Sequence, residues 1–214
     1  MFLNKVIGVY KTVQGEGKYV GRKCLLVRLS GCPVGCVWCD TDYDPKRARS
    51  VVIDDSILLE DCEFVLITGG EPIYNTETLR IVKGIKEVGG KVHLETSGHI
   101  TEKVMDYAME IFGEVDVVCV SPKLPSAKVK IGLDVVRLRK ALKVAREWFL
   151  KFVIANEMDI KEMEWIASRL EVKEYYVMLE GRTIEELRKK AHLIELLPKG
   201  VILSPRLHIE IGVD

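Results

Sequence analysis

Apolar positions along the chain follow two alternating patterns. Short runs rich in β-branched and other apolar residues, at Lys23–Leu29, Phe64–Thr68, Lys91–Glu95, Val115–Val120, Phe149–Ile154, Tyr175–Leu179 and Val201–Leu203, read as strands. Between most of them the pattern changes to helical spacing, over Thr76–Val88, Thr101–Phe112, Leu133–Arg146, Asp159–Leu170 and Thr183–Leu196. Gly89-Gly90, Gly113 and Gly200 mark the helix ends or the turns after them. This repetition predicts an α/β fold with parallel strands. A closed eight-fold barrel takes about 250 residues and only about six βα units can be counted here, so an incomplete, open (β/α)6-type barrel is expected. An open side suits a site that admits a sizeable substrate. The exception is the segment from Ser30 to Asp61, where a cysteine-rich loop and the acidic run Asp54-Asp55 to Glu60-Asp61 leave little room for a crossover helix. The first βα unit is therefore expected to be shortened.

Composition narrows the function classes. With 214 residues and 48% apolar content the chain has room for one full core, and a single domain over 1–214 is expected. The N-terminus, Met1-Phe2-Leu3-Asn4-Lys5, lacks a leader-like apolar run, and no stretch approaches the roughly 20 apolar residues of a membrane span. A soluble cytoplasmic protein with no membrane partner is the expectation. Basic and acidic residues balance at 32 each, so there is no electrostatic footprint for nucleic acid, and a small-molecule substrate is the better default. Six cysteines in such a chain point to metal or catalytic use before disulfides.

Three of those cysteines fall in Gly31-Cys32-Pro33-Val34-Gly35-Cys36-Val37-Trp38-Cys39-Asp40-Thr41. Thiolates are soft ligands suited to zinc or iron–sulfur centres, and three in one short loop can converge without help from distant segments. A closed all-cysteine site needs a fourth. The C-x3-C-x2-C spacing would leave one position of an iron–sulfur cluster open to a small molecule. The competing reading is structural zinc, with a fourth ligand from Cys24, Cys62, Cys119, His93 or His208. His93 alternates with apolar neighbours and reads as a core or interface histidine.

Further motifs stand at predicted strand ends, where barrel enzymes keep their chemistry. Phe64–Thr68 runs into Gly69-Gly70-Glu71-Pro72, a pair of glycines that lets backbone approach a ligand closely, although such pairs are also ordinary turn punctuation. Lys91–Glu95 runs into Thr96-Ser97-Gly98, and Val117–Val120 into Ser121-Pro122-Lys123. One acid or lysine at a strand end is usually just solvated. Repetition at successive strand ends favours a site.

Taken together and in order, TVQGEG from Thr12, VRLSGC followed by GCVWCDT, TGGEP, ETSG and SPK resemble the 7-carboxy-7-deazaguanine synthases, small enzymes of the radical S-adenosylmethionine (SAM) superfamily. The match runs from about Thr12 to Lys123. The resemblance implies an abbreviated radical SAM barrel, a homodimer, and conversion of 6-carboxy-5,6,7,8-tetrahydropterin to 7-carboxy-7-deazaguanine with loss of ammonia, on the route to queuosine or archaeosine. It implies a [4Fe–4S] cluster on Cys32, Cys36 and Cys39, whose open iron takes the methionine part of SAM and whose electron, from an external donor, generates a 5′-deoxyadenosyl radical. Trp38, Cys39, Asp40, Gly70, Ser121, Pro122 and Lys123 would line SAM. Val13, Gln14, Gly15, Arg28 and Thr68 would contact the pterin, Gln14 matching its amide-like edge and the Arg28 fork its carboxylate. Thr41 would place a hydroxyl on Mg2+, a hard cation that prefers oxygen ligands. The chain departs from the family pattern at Pro33 and Ser97, where asparagine is common, in Val177-Met178-Leu179-Glu180, which lacks a Gln-Pro pair, and at Pro205-Arg206-Leu207-His208. Two other functions remain open at this point: a radical SAM activase acting on a protein glycine, which needs no Gln14 and Arg28 pair, and a non-enzymatic zinc module.

Overall fold

The computed structural model describes residues 2–52 and 61–212, with side chains described from Val6 onward in the first strand. The acidic run from Asp54 to Glu60 lies outside them. Among the described residues, nine strands form one sheet: β1 (Phe2–Val13), β2 (Lys23–Leu29), β3 (Arg49–Val52), β4 (Phe64–Gly69), β5 (Val92–Thr96), β6 (Val117–Val120), β7 (Trp148–Ile154), β8 (Tyr175–Leu179) and β9 (Val201–Leu203). Their order is β3-β1-β2-β4-β5-β6-β7-β8-β9, a row that does not close on itself. From β2 through β9 every neighbouring pair is parallel, whereas β1 runs antiparallel to both β2 and β3. The open, incomplete barrel is thus present, with seven parallel strands at the expected positions and an antiparallel extension at one edge.

The helices follow the strands: α1 (Thr78–Glu87), α2 (Met105–Glu114), α3 (Val135–Leu142), α4 (Glu157–Arg169), α5 (Ile184–Lys189) and α6 (Leu207–Ile211). Side-chain caps fix several starts: Asp134, Asn156 and Thr183 accept from the backbone N–H of Arg137, Asp159 and Glu186. Two expectations need correction. The stretch Thr183–Leu196 is not one helix but a six-residue α-helix followed by a 3-10 turn over Ala191–Leu196. The first strand is β1, twelve residues that end in the TVQGEG motif, not Lys23–Leu29.

The sheet has two different faces, as the period of two along a strand requires. Val27, Ile67, Leu94, Val118 and Phe152 point to the helices and build the main core with Ile81, Ile85, Phe112, Leu138 and Met163. On the concave face the alternate positions change character along each strand. At the start of the strands Cys24, Leu26, Phe64 and Leu66 form one apolar cluster, and Val117, Cys119 and Phe149 a second, with Tyr19 packed on both. His93 stacks on Phe64 with ring centroids 3.7 Å apart and lies 4.5 Å from Tyr19, so this aromatic plug closes the bottom of the barrel. Burial holds the His93 imidazole near a pKa of about 4, so it is neutral at neutral pH, a packing histidine as its alternation suggested. Above the plug the same rows become polar: Arg28 on β2, Thr68 on β4, Glu95 on β5 and Lys151 on β7.

Candidate active site

The polar ends of these strands and the loops after them enclose a cavity of about 430 Å3. Cys32, Cys36 and Cys39 line it, together with Trp38, Asp40 and Thr41. Their loop is pinned on several sides. Gly31 N–H donates to the Tyr43 carbonyl (2.8 Å), Val37 N–H to Ala127 (3.0 Å), and Lys130 N–H to Val34 (2.9 Å), which ties the cysteines to the segment following β6. From the C-terminal half, Arg182 donates to the Cys39 carbonyl at 2.6 Å.

The glycine pair after β4 meets this loop backbone to backbone. Gly70 N–H donates to the Leu29 carbonyl and Glu71 N–H to that of Gly31, each at 2.9 Å. A Cβ on Gly70 would stand 1.9 Å from the Gly31 oxygen, and Gly69 takes φ +110°, so both positions require glycine. Glu71, 2% exposed, turns away from bulk water to accept from Thr96 Oγ1 (2.5 Å) and from Ser97 N–H (2.8 Å) and Oγ. The TGGEP and ETSG motifs are therefore one hydrogen-bonded unit. His99 extends it: Lys123 N–H donates to His99 Nε2 at 3.1 Å, leaving Nδ1 to donate to the Ile131 carbonyl at 2.7 Å.

Opposite the cysteines, the turn after β1 carries Gln14, Gly15 and Glu16. Gln14 Nε2 donates to Glu95 Oε1 (3.0 Å) and Thr68 Oγ1 approaches Glu95 Oε2 (3.4 Å), which turns the Gln14 amide oxygen away from that carboxylate. Lys151, 3% exposed, binds Glu16 at 2.7 Å and Glu95 at 3.1 Å. Burial opposes its charge, but the two carboxylates hold its pKa well above the ordinary lysine value. Burial likewise opposes the Glu16 charge, and Lys151 and Arg206 more than offset it, leaving the carboxyl near a pKa of about 2. Glu16 and Lys151 therefore form an ionised pair at neutral pH.

Of the residues expected at the site, Val13, Gln14, Gly15, Arg28, Cys32, Cys36, Trp38, Cys39, Asp40, Thr41, Thr68, Gly70, Ser121 and Lys123 all line this cavity. Pro122 does not; Ser121 and Lys123 on either side of it do. The sequence reading also passed over Glu16, Lys151 and Arg206. Lys151 carried a signal, being the one cation inside the apolar run Trp148–Ile154, whereas nothing local distinguishes Arg206. Cys24 and Cys119 are buried in the plug, below the cavity.

Comparison with known proteins bears on this arrangement. The sequence profile of the Radical SAM superfamily matches residues 26–194. The 7-carboxy-7-deazaguanine synthase of Hyperthermus butylicus is 30% identical over 221 residues, 96% of this chain and 91% of the relative. The chain belongs to the 7-carboxy-7-deazaguanine synthase family of radical SAM enzymes. The synthase of Thermoplasma acidophilum is 34% identical over 71% of this chain and 70% of its own. The fold of this family member resembles the crystal structure of QueE from Escherichia coli, with a TM-score of 0.64 at 21% identity, covering 95% of this chain and 93% of that one. It also resembles SuiB from Streptococcus suis (TM-score 0.57, 11% identity), matching 83% of this chain but 48% of SuiB.

The residues present fit the groups that the superfamily requires. The donor set is three soft thiols on one cavity wall, with the other cysteines elsewhere and His208 across the cavity beside Glu16 (3.7 Å). Among the described residues, no three His, Cys, Asp or Glu side chains, the loop cysteines included, stand close enough together to hold a metal ion. Two buried lining atoms, Trp38 Nε1 and Arg28 Nε, have no hydrogen-bond partner among the described residues and can be satisfied by a bound molecule.

Proposed function

We propose that this enzyme converts 6-carboxy-5,6,7,8-tetrahydropterin to 7-carboxy-7-deazaguanine with loss of ammonia, in the cytoplasmic synthesis of the 7-deazapurine bases of tRNA. The reading includes one domain over 1–214, an external electron donor, a homodimeric assembly, Mg2+ as a third cofactor, and no direct contact with nucleic acid. The observation that carries it is that the three cysteines and the five residues assigned to the pterin line the same cavity. A protein-glycine activase has no use for an Arg28, Gln14, Glu95 and Lys151 floor beneath its cluster.

Cys32, Cys36 and Cys39 would hold the cluster, with Trp38 to Asp40, Gly70 and Ser121 to Lys123 facing SAM; once bound, these groups supply one-electron cleavage and a hydrogen-abstracting radical. The chain's own residues do the rest. Arg28, with a buried donor unspent, pairs with the substrate carboxylate. Gln14, its N–H2 committed to Glu95, presents its oxygen to the donors on the amide-like edge of the pterin. Thr41 Oγ1 lies 3.4 Å from Asp40 Oδ1, and these two oxygens are the hard donors that would hold Mg2+, whose role would be to orient the substrate without redox chemistry. The ionised Glu16 and Lys151 pair replaces bulk water beneath the substrate with fixed charges.

Anaerobic incubation with carboxytetrahydropterin, SAM and a reductant tests the proposal. The expected result is 7-carboxy-7-deazaguanine, abolished in Cys32→Ala, Cys36→Ala and Cys39→Ala, which lose iron, and retained in Cys62→Ala. In the same assay a Mg2+ titration should stimulate the wild type and Thr41→Ser, but not Thr41→Ala. Reductive cleavage of SAM with no deazaguanine formed from the pterin would rule out this substrate.

A further inference from the structure

A side chain outside every family motif joins the two sides of the cavity. Arg206, 7% exposed and just ahead of α6, donates through Nε to Glu16 Oε1 at 3.0 Å, through Nη2 to Asp40 Oδ2, and through Nη1 to the Gly181 carbonyl. Glu16 belongs to the turn that carries Gln14 and Gly15, and Asp40 directly follows Cys39. The segment bearing Arg206 is fastened to that turn as well: Leu207 N–H donates to the Gly15 carbonyl (2.9 Å), and Gly17 N–H to Ser204 Oγ (2.7 Å). One planar fork thus has an acceptor on the turn, on the cysteine loop and on the loop after β8.

We propose that Arg206 is a positioning residue that couples the two halves of the site, so that SAM bound against the cysteine loop and pterin bound against the Gln14 turn each tighten the other. This inference rests on the functional reading above for which ligand each side takes. The guanidinium donors have fixed mutual directions, so Asp40 and Glu16 can both be satisfied only in one relative placement of loop and turn. Displacing either takes an acceptor from the buried Arg206 guanidinium, a costly state for that cation, although the Asp40 carboxylate itself is half exposed and can turn to water. A ligand that orders the loop around Asp40 therefore also orders Arg206 and Glu16, and the second ligand meets a turn already fixed. Linkage requires the effect to be reciprocal.

The test is equilibrium binding to the anaerobically purified holoprotein without reductant, so that nothing turns over. Titrations use SAM alone, carboxytetrahydropterin alone, and each in the presence of saturating amounts of the other. In the wild type each ligand should lower the Kd of the other by the same factor, about five-fold or more. Arg206→Met should bring that factor close to one. Arg206→Lys keeps a cation between Glu16 and Asp40, which protects the fold, yet a single ammonium cannot span three acceptors, so its factor should fall too. That variant decides the matter if Arg206→Met does not fold. A wild type that binds SAM but not the pterin would overturn the functional reading. A wild type that binds both with a factor of one, or undiminished coupling in both variants, would overturn the role of Arg206 alone.

Discussion

In the proposed reading, Arg28 is the residue that pairs with the substrate carboxylate. Its guanidinium lies 5.8 Å from the Tyr10 ring centroid and its Nε is buried without a partner among the described residues, a costly arrangement unless a ligand completes it. Arg28→Lys keeps the charge and loses the planar pair of donors. Steady-state kinetics should then show KM for the pterin raised about ten-fold or more, with iron content unchanged, since losing one charge-assisted bond is worth roughly 1.5 to 3 kcal/mol; unchanged KM and kcat would make Arg28 structural. His93 makes a different kind of prediction. Its folded pKa of about 4 lies below the ordinary value of 6.5, so as pH falls below 6.5 the unfolded chain takes up a proton that the folded chain refuses. Stability conferred by the neutral ring is whole above pH 6.5 and declines toward pH 4. Chemical denaturation at pH 7 and pH 5 should therefore show a larger loss for wild type than for His93→Phe, which keeps a ring between Phe64 and Tyr19 but cannot titrate. Parallel losses would mean that His93 is not the group responsible.

Among the elements, two glycines in similar-looking sequence contexts separate site from scaffold. Gly70 has no room for a methyl group against the Gly31 carbonyl, so Gly70→Ala must push the loop after β4 away from the cysteine loop. Gly113, in the last turn of α2, has open space around its missing Cβ and an ordinary helical φ. Gly113→Ala should raise stability by about 0.5 to 1 kcal/mol with activity unchanged, whereas Gly70→Ala should lose both stability and iron. Thermal unfolding and iron analysis of the pair check this, and an iron-replete, stable Gly70→Ala would contradict the packing described. The seven parallel strands were legible in sequence because the face they turn to the helices demands apolar residues, and their runs stay largely apolar even where single polar residues face the cavity. β1 was not: Asn4, Lys5, Gly8 and Lys11 dilute its apolar pattern, and its ladder with β2, from Val6 opposite Leu29 to Val13 opposite Lys23, supplies what local preference lacks. β3, four mostly exposed residues at the edge, has little pattern to show. The site divides in the same way. Cysteine spacing and glycine motifs are local and could be read, whereas Glu16, Lys151 and Arg206 become a network only when the register of β7 and the return of the C-terminal segment bring them together.

At the scale of the whole molecule, the open sheet is divided by depth into an apolar plug, an ionised floor and a mouth formed by the cysteine and glycine loops. This layering lets one cavity shelter radical chemistry while holding a polar, charged pterin in fixed orientation, which is the central claim made for this protein. Its most direct test is hydrogen transfer between the two ligands proposed to share the cavity. Carboxytetrahydropterin carrying deuterium on its reduced ring should, under anaerobic reducing conditions, yield 7-carboxy-7-deazaguanine together with 5′-deoxyadenosine that contains deuterium, detected by mass spectrometry. Formation of 5′-deoxyadenosine that is independent of the pterin and free of deuterium would contradict the account.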